Sequence, residues 1–80
     1  NYPNPFNPLT TINYSLPQNC FVTLKIYNIL GQEIKTLVNE EKSSGMNSIR
    51  FDGSNLSSGI YFYMLRTENY SQTKELTLIK

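Results

Sequence analysis

Histidine is absent from this chain, and cysteine occurs once, at Cys20. Without histidine the side chain most often used as a general base is missing. A lone thiol supports neither an intrachain disulfide nor the usual zinc ligand sets. Cys20 is followed by Phe21 and has no cation beside it, so nothing marks it as a reactive thiol, and it reads as a plain strand-edge residue. Charge is scarce too: charged residues make up 16% of the chain, the net charge is +1, and Lys and Arg never cluster. A surface that tracks phosphates needs such clusters, which argues against a nucleic-acid partner. No apolar run approaches the roughly 20 residues of a membrane-spanning helix, and no signal peptide heads the chain. The glycines are too dispersed for a phosphate loop. Asp52 and the glutamates have no partner at a catalytic spacing, so neither an enzyme nor a cofactor is expected. Asp52, Ser54 and Asn55 lack the acidic spacing of a calcium loop and fit a turn built by Asx side chains instead.

What is present is a small, apolar, strand-rich chain. Its 80 residues are 39% hydrophobic and 12% aromatic, too much for a disordered tail, and they make one domain with a modest core. The chain lacks an initiator Met and reads as a piece of a longer polypeptide. It divides into a lead-in over residues 1–9 and a body over residues 10–80. The lead-in, Asn-Tyr-Pro-Asn-Pro-Phe-Asn-Pro, carries Pro3, Pro5 and Pro8. Each proline fixes its own φ and pushes the preceding residue toward extended geometry, so this stretch is neither helix nor central strand.

The body alternates with period two. Thr10–Leu16 places Ile12, Tyr14 and Leu16 on one face, and Pro17-Gln18-Asn19 ends it. Phe21–Tyr27 turns Val22, Leu24 and Ile26 inward and Thr23 and Lys25 outward; these two segments read as a hairpin. Gly31 supplies positive φ to a tight connection over Asn28–Gln32. Glu33–Val38 is a third strand with Ile34 and Val38 toward the core; the run between Gly31 and Asn39 is too short for the competing helix. Asn39–Gly45 reads as a polar loop and Met46–Phe51 as a strand with Ile49 and Phe51 apolar. The loop that follows holds Leu56 as a plug for the end of the core. Ile60–Thr67 is apolar on both faces, Tyr61, Tyr63 and Leu65 on one and Phe62 and Met64 on the other, which predicts a central position. Glu68-Asn69-Tyr70 turns the chain into a last strand from Ser71, with Leu76 and Leu78 inward. Six or seven short strands with regular turn signals predict a two-sheet sandwich.

These residues, taken in order, resemble the type A C-terminal sorting domain of type IX secretion cargo. The matching pieces are Tyr2–Pro8 with Thr10-Thr11-Ile12, Val22–Tyr27 with Leu30-Gly31, Phe51-Asp52, Leu56–Phe62, and the basic-apolar end from Lys74 to Lys80. Met64 and Glu75 depart from the common pattern, which weakens any claim about charge on those two strand faces. The resemblance implies an all-β, Ig-like antiparallel sandwich of about seven strands, related to the Ig-like module of flagellar hook-capping proteins. It implies an address that carries an N-terminal cargo domain in the same chain to an outer-membrane translocon and its shuttle components, with removal by a sortase-like signal peptidase. The cargo ends secreted or on the cell surface.

Candidate recognition residues follow, each beside a plainer role. Tyr2, Pro3, Asn4, Pro5 and Phe6 form either a pre-ordered epitope or a cap along a sheet edge. Gly31 and Gly59 are motif positions that backbone geometry alone would explain. Tyr61 belongs to the Leu56–Phe62 motif. Lys74 and Lys80 are either read by the translocon or are lysines that guard an edge. Phe62 and Met64 are either an exposed apolar patch that marks a contact surface or are covered by a neighbouring sheet or loop. A carbohydrate-binding accessory module, with tyrosines stacking on sugars, and a structural Ig-like spacer or assembly domain are the alternative functions.

Overall fold

The computed structural model describes residues 9–79; the Tyr2–Phe6 and Lys80 expectations lie outside them. Six strands are present among the described residues, against the expected seven or so, and no helix. They are β1 (Leu9–Leu16), β2 (Cys20–Tyr27), β3 (Glu33–Lys42), β4 (Gly45–Asp52), β5 (Gly59–Arg66) and β6 (Ser71–Leu78). All pairings are antiparallel: β1 pairs with β4, and a four-stranded sheet runs β3-β2-β5-β6. The two-stranded sheet faces the larger one, and the inward side chains of both form a single core.

The inward sets are those that period two selects. Ile12, Tyr14 and Leu16 from β1 meet Val22, Leu24 and Ile26 from β2, Tyr61 and Leu65 from β5, and Leu76 and Leu78 from β6. Phe51 closes one end, with Ile49, Leu56 and Tyr63 packed against the cluster. β5 is central as expected, flanked by β2 and β6.

Two expectations need correction. β1 and β2 are not a hairpin. Both edges of β2 are taken, by β3 and β5, and the 17–19 connection carries the chain from one sheet to the other. The apolar stripes of β1 and β2 face each other across the core, which covers both; side by side, both would still need a cover. Cys20 accordingly opens a central strand and is half-buried against the core. The third strand also runs four residues further than expected. Asn39–Lys42 pair with Cys20–Thr23, so the polar run is ladder rather than loop. Register shifts between Leu24 and Lys25 and between Ile26 and Tyr27 leave Leu37 and Ile34 as bulged residues opposite no partner. Both pack against the core. These bulges break the alternation within the expected strand; the part that was missed, residues 39–42, is Asn-Glu-Glu-Lys and has no apolar residue to mark it as ladder.

No second layer covers the outer face of the four-stranded sheet among the described residues, as antiparallel sheets allow. There Lys25 pairs across with Met64 and Tyr27 with Phe62. Phe62 and Met64 are half-buried, so the predicted patch is a partly open apolar strip. Side-chain bonds tie the layers at the far end. The Ser44 amide donates to Asn19 Oδ1 at 2.8 Å, and the Tyr70 hydroxyl donates to the Ser15 carbonyl at 3.4 Å.

Candidate functional site

Four segments that are far apart in the chain meet at one end of the sandwich. β1 starts there, because Leu9 pairs with Asp52 at the end of β4. The 53–58 loop leaves from Asp52 and enters β5 at Gly59, which pairs with Leu78 at the end of β6. The β2–β3 turn lies beside them, since Tyr27 pairs with Phe62. The arrangement follows from antiparallel pairing alone: strand ends joined by short connections share an end.

The β2–β3 turn is held by one side chain. Asn28 Oδ1 accepts from the Leu30 and Gln32 amides, each at 2.9 Å. Asn28 Nδ2 donates to Gln32 Oε1 at 2.7 Å. The Gly31 amide donates to the Asn28 carbonyl at 2.9 Å, and the Asn28 amide to the Gln32 carbonyl at 3.0 Å. Gly31 has φ +85°, a left-handed geometry that side chains resist, so glycine fits the turn's need. Beside it, Lys25 Nζ and the Thr36 hydroxyl donate to Glu33 at 3.2 and 3.1 Å. These bonds hold the Glu33 carboxyl below its ordinary pKa. The result is a pinned turn that leaves Ile29 and Leu30 70% and 79% exposed.

The 53–58 loop is pinned as well. The Ser54 amide donates to Asp52 Oδ1 at 2.9 Å, the expected Asx turn, and Ser54's backbone and side-chain bonds hold the Asp52 carboxyl below its ordinary value. The Leu56 amide donates to the Gly53 carbonyl at 2.9 Å. Tyr61, buried, donates its hydroxyl to the Ser57 carbonyl at 2.7 Å. The Leu-Ser-Ser-Gly-Ile-Tyr run is thereby a loop strapped to the strand it feeds, with Gly59 at φ +151° between them.

Two clefts flank the exposed turn. One, of about 570 Å³, lies between it and the 55–61 segment, with Ile29, Ile34, Leu56, Ile60 and Tyr61 among its walls. The other, of about 310 Å³, opens on the outer sheet face along Tyr27, Ile29, Phe62 and Met64. Leu9, Ile60 and Ile79 are also exposed at this end. Gly31, Gly59 and Tyr61 are thus brought together. Lys74 is not: it pairs with Tyr63 midway along β6, exposed and without an ion pair among the described residues. The sequence reading missed Ile29 and Leu30 as surface features. The signal was there, because two apolar residues between Asn28 and Gly31 in a tight turn have no room to turn inward. Among the described residues no group of His, Cys, Asp or Glu could hold a metal ion, and no helix is long and apolar enough to cross a membrane.

One protein-family model, described as the secretion system C-terminal sorting domain, matches residues 1–80. The chain belongs to this family. It is a sorting signal for type IX secretion, which marks proteins for the cell surface or for release, and the family is not an enzymatic one. Comparison with curated proteins and with solved structures gave no match.

Proposed function

We propose that the export apparatus recognises this sorting domain, residues 1–80 as one unit, by the end of the sandwich where the family's segments converge. The observation that carries this is the pinned β2–β3 turn. Several hydrogen bonds hold Ile29 and Leu30 in water, beside two clefts with apolar walls. Exposed apolar groups gathered in one place mark contact surfaces. Within this reading Gly31, Gly59 and Tyr61 shape the surface rather than touch the partner. We assign Tyr2, Pro3, Asn4, Pro5, Phe6 and Lys80 to the same surface because the lead-in precedes Leu9, whose strand opens at this end, and Lys80 follows Ile79, which is exposed. Lys74 stands outside it as an edge guard. The partners are the translocon with its shuttle components, followed by a sortase-like signal peptidase acting on the exported cargo.

The test is a secreted reporter carrying residues 1–80 in a host with a type IX system. The double substitution Ile29→Asp, Leu30→Asp changes only exposed positions, so the domain should keep its circular dichroism spectrum and melting temperature. Export should fall at least tenfold, with intact fusion in the periplasm. Undiminished export by the folded double variant would overturn the assignment of this end.

A further inference from the structure

We propose that the free edge of β1 takes up an extended segment of a separate protein as an added strand, and that Lys74 selects a segment with a carboxylate at the facing position. The first observation is which edges are defended. Among the described residues four strands have a free edge: β1 and β4 in the smaller sheet, β3 and β6 in the larger. β3 carries register shifts and several charges, β4 carries Arg50 and Asp52, and β6 carries Lys74 and Glu75. β1, Leu-Thr-Thr-Ile-Asn-Tyr-Ser-Leu, runs in unbroken register with β4 and has no charge at all. Every second residue of it turns its N–H and C=O away from β4. A row of such groups is a template for a further strand.

The second observation is what lies beside that edge. The larger sheet extends past β1, so the edge looks onto the inner face of β5 and β6. Between them is a cleft of about 210 Å³ with Ile12, Tyr14, Tyr63, Leu65, Gln72 and Lys74 among its walls. A strand added about 4.8 Å beyond β1 lies over that face, and its alternate side chains point into the cleft. The Tyr70 hydroxyl, which reaches the Ser15 carbonyl, stops the slot at the far end. The overhang also decides what fits. A second folded copy pairing antiparallel through its own β1 would carry its β5 and β6 into space that these strands already fill, because both larger sheets would lie on one side of the joined edges. A single extended segment meets no such obstacle. The third observation is charge. Among the described residues Lys74 is the only charged group lining the cleft, and it has no ion pair. A strand with Asp or Glu facing it gains a partner, and one with Lys or Arg there is repelled. The ammonium that guards β6 thus admits an acidic strand and turns others away. The slot runs along the side of the sandwich, so the inference does not depend on which end meets the export apparatus.

The experiment uses the folded 80-residue chain, isotope-labelled. Its probe is a short capped peptide alternating Thr with Val, the central Val replaced by Asp. At millimolar concentration this peptide should shift the amide signals of β1 and β6. It should slow hydrogen exchange at the β1 amides that do not pair with β4, and its Val methyls should show nuclear Overhauser contacts to Tyr63 and Leu65. The same peptide with Lys in place of Asp should bind about tenfold more weakly. A version N-methylated at alternate amides cannot pair and should not bind. Lys74→Gln changes an exposed side chain, so the domain should stay folded and take both peptides with equal affinity. Absence of shifts, or shifts that miss β1 and β6, would overturn the proposal, as would equal affinity of the unsubstituted domain for the Asp and Lys peptides. Slow exchange at those β1 amides without peptide would overturn the assignment to a separate protein. If it is independent of concentration, a segment of the same chain fills the slot; if it grows with concentration, a second copy does.

Discussion

A Cβ placed on Gly53 would stand 2.7 Å from Leu78 Cδ1 and 3.2 Å from Cδ2. Leu78 is among the largest fully buried side chains, so it has little room to yield. Gly53→Ala is therefore expected to cost about 1–3 kcal/mol as overpacking, read as a lower urea midpoint; an unchanged midpoint would show that β6 shifts to make room. Its neighbour Asp52 governs a pH response. Hydrogen bonds from Ser54 lower the folded-state pKa of Asp52, so its contribution is present above the unfolded value of about 3.9 and is lost as the pH falls through the folded one. Asp52→Asn keeps an oxygen for the Ser54 amide but cannot titrate. Its stability should thus decline less than the parent's between neutral and strongly acidic pH, in urea melts across that range; parallel curves would remove Asp52 from the acid response. The Asx turn was legible in Asp-Gly-Ser-Asn because it is local. The burial of Gly53 was not, because its cause is Leu78, 25 positions away.

Among the elements, legibility followed the regularity of the pattern. β1 and β2 alternate cleanly, and their inward residues are those found in the core; β5 is apolar on both faces and lies between two neighbours, as that predicts. β3 does not alternate, since two bulges bring Ile34 and Leu37 to the core between register shifts, and its last four residues look like loop. Period two also says which face of a strand is apolar but not whether a neighbour lies beside or opposite it, which is how the β1–β2 hairpin came to be expected. β6 shows the same logic in Lys74. It pairs with Tyr63, on the face that buries Leu76 and Leu78, yet on an edge strand with its ammonium in water. An inward-facing charge on a free edge discourages pairing with another chain. Lys74→Val would extend the Leu76–Leu78 stripe along that edge and should make self-association concentration-dependent, without loss of melting temperature. Light scattering reads it directly. A Lys74→Val chain that stays monomeric but is exported poorly would move Lys74 from guard to recognition residue.

On the proposed reading the address is dispersed in sequence and gathered only by folding, so its parts could be spotted in the chain while their common end could not. A dispersed address makes a demand that a linear tag does not: the domain must be folded to be read. Leu24 tests this. It is fully buried on the central strand β2, opposite Val38 and Leu65, and belongs to neither the β2–β3 turn nor the 53–58 loop. Leu24→Ala is expected to cost about 2–5 kcal/mol, against a total of about 4–12 kcal/mol for a domain of this length. The substituted domain should therefore melt well below the parent while keeping the segments of the proposed end intact in sequence. Reporter export measured across a temperature range should fall with the folded fraction of the Leu24→Ala domain, as followed by circular dichroism, at temperatures where the parent still exports. Export that persists at temperatures where the substituted domain is unfolded would mean that the machinery reads short linear stretches, and that the sandwich protects the signal rather than forming it.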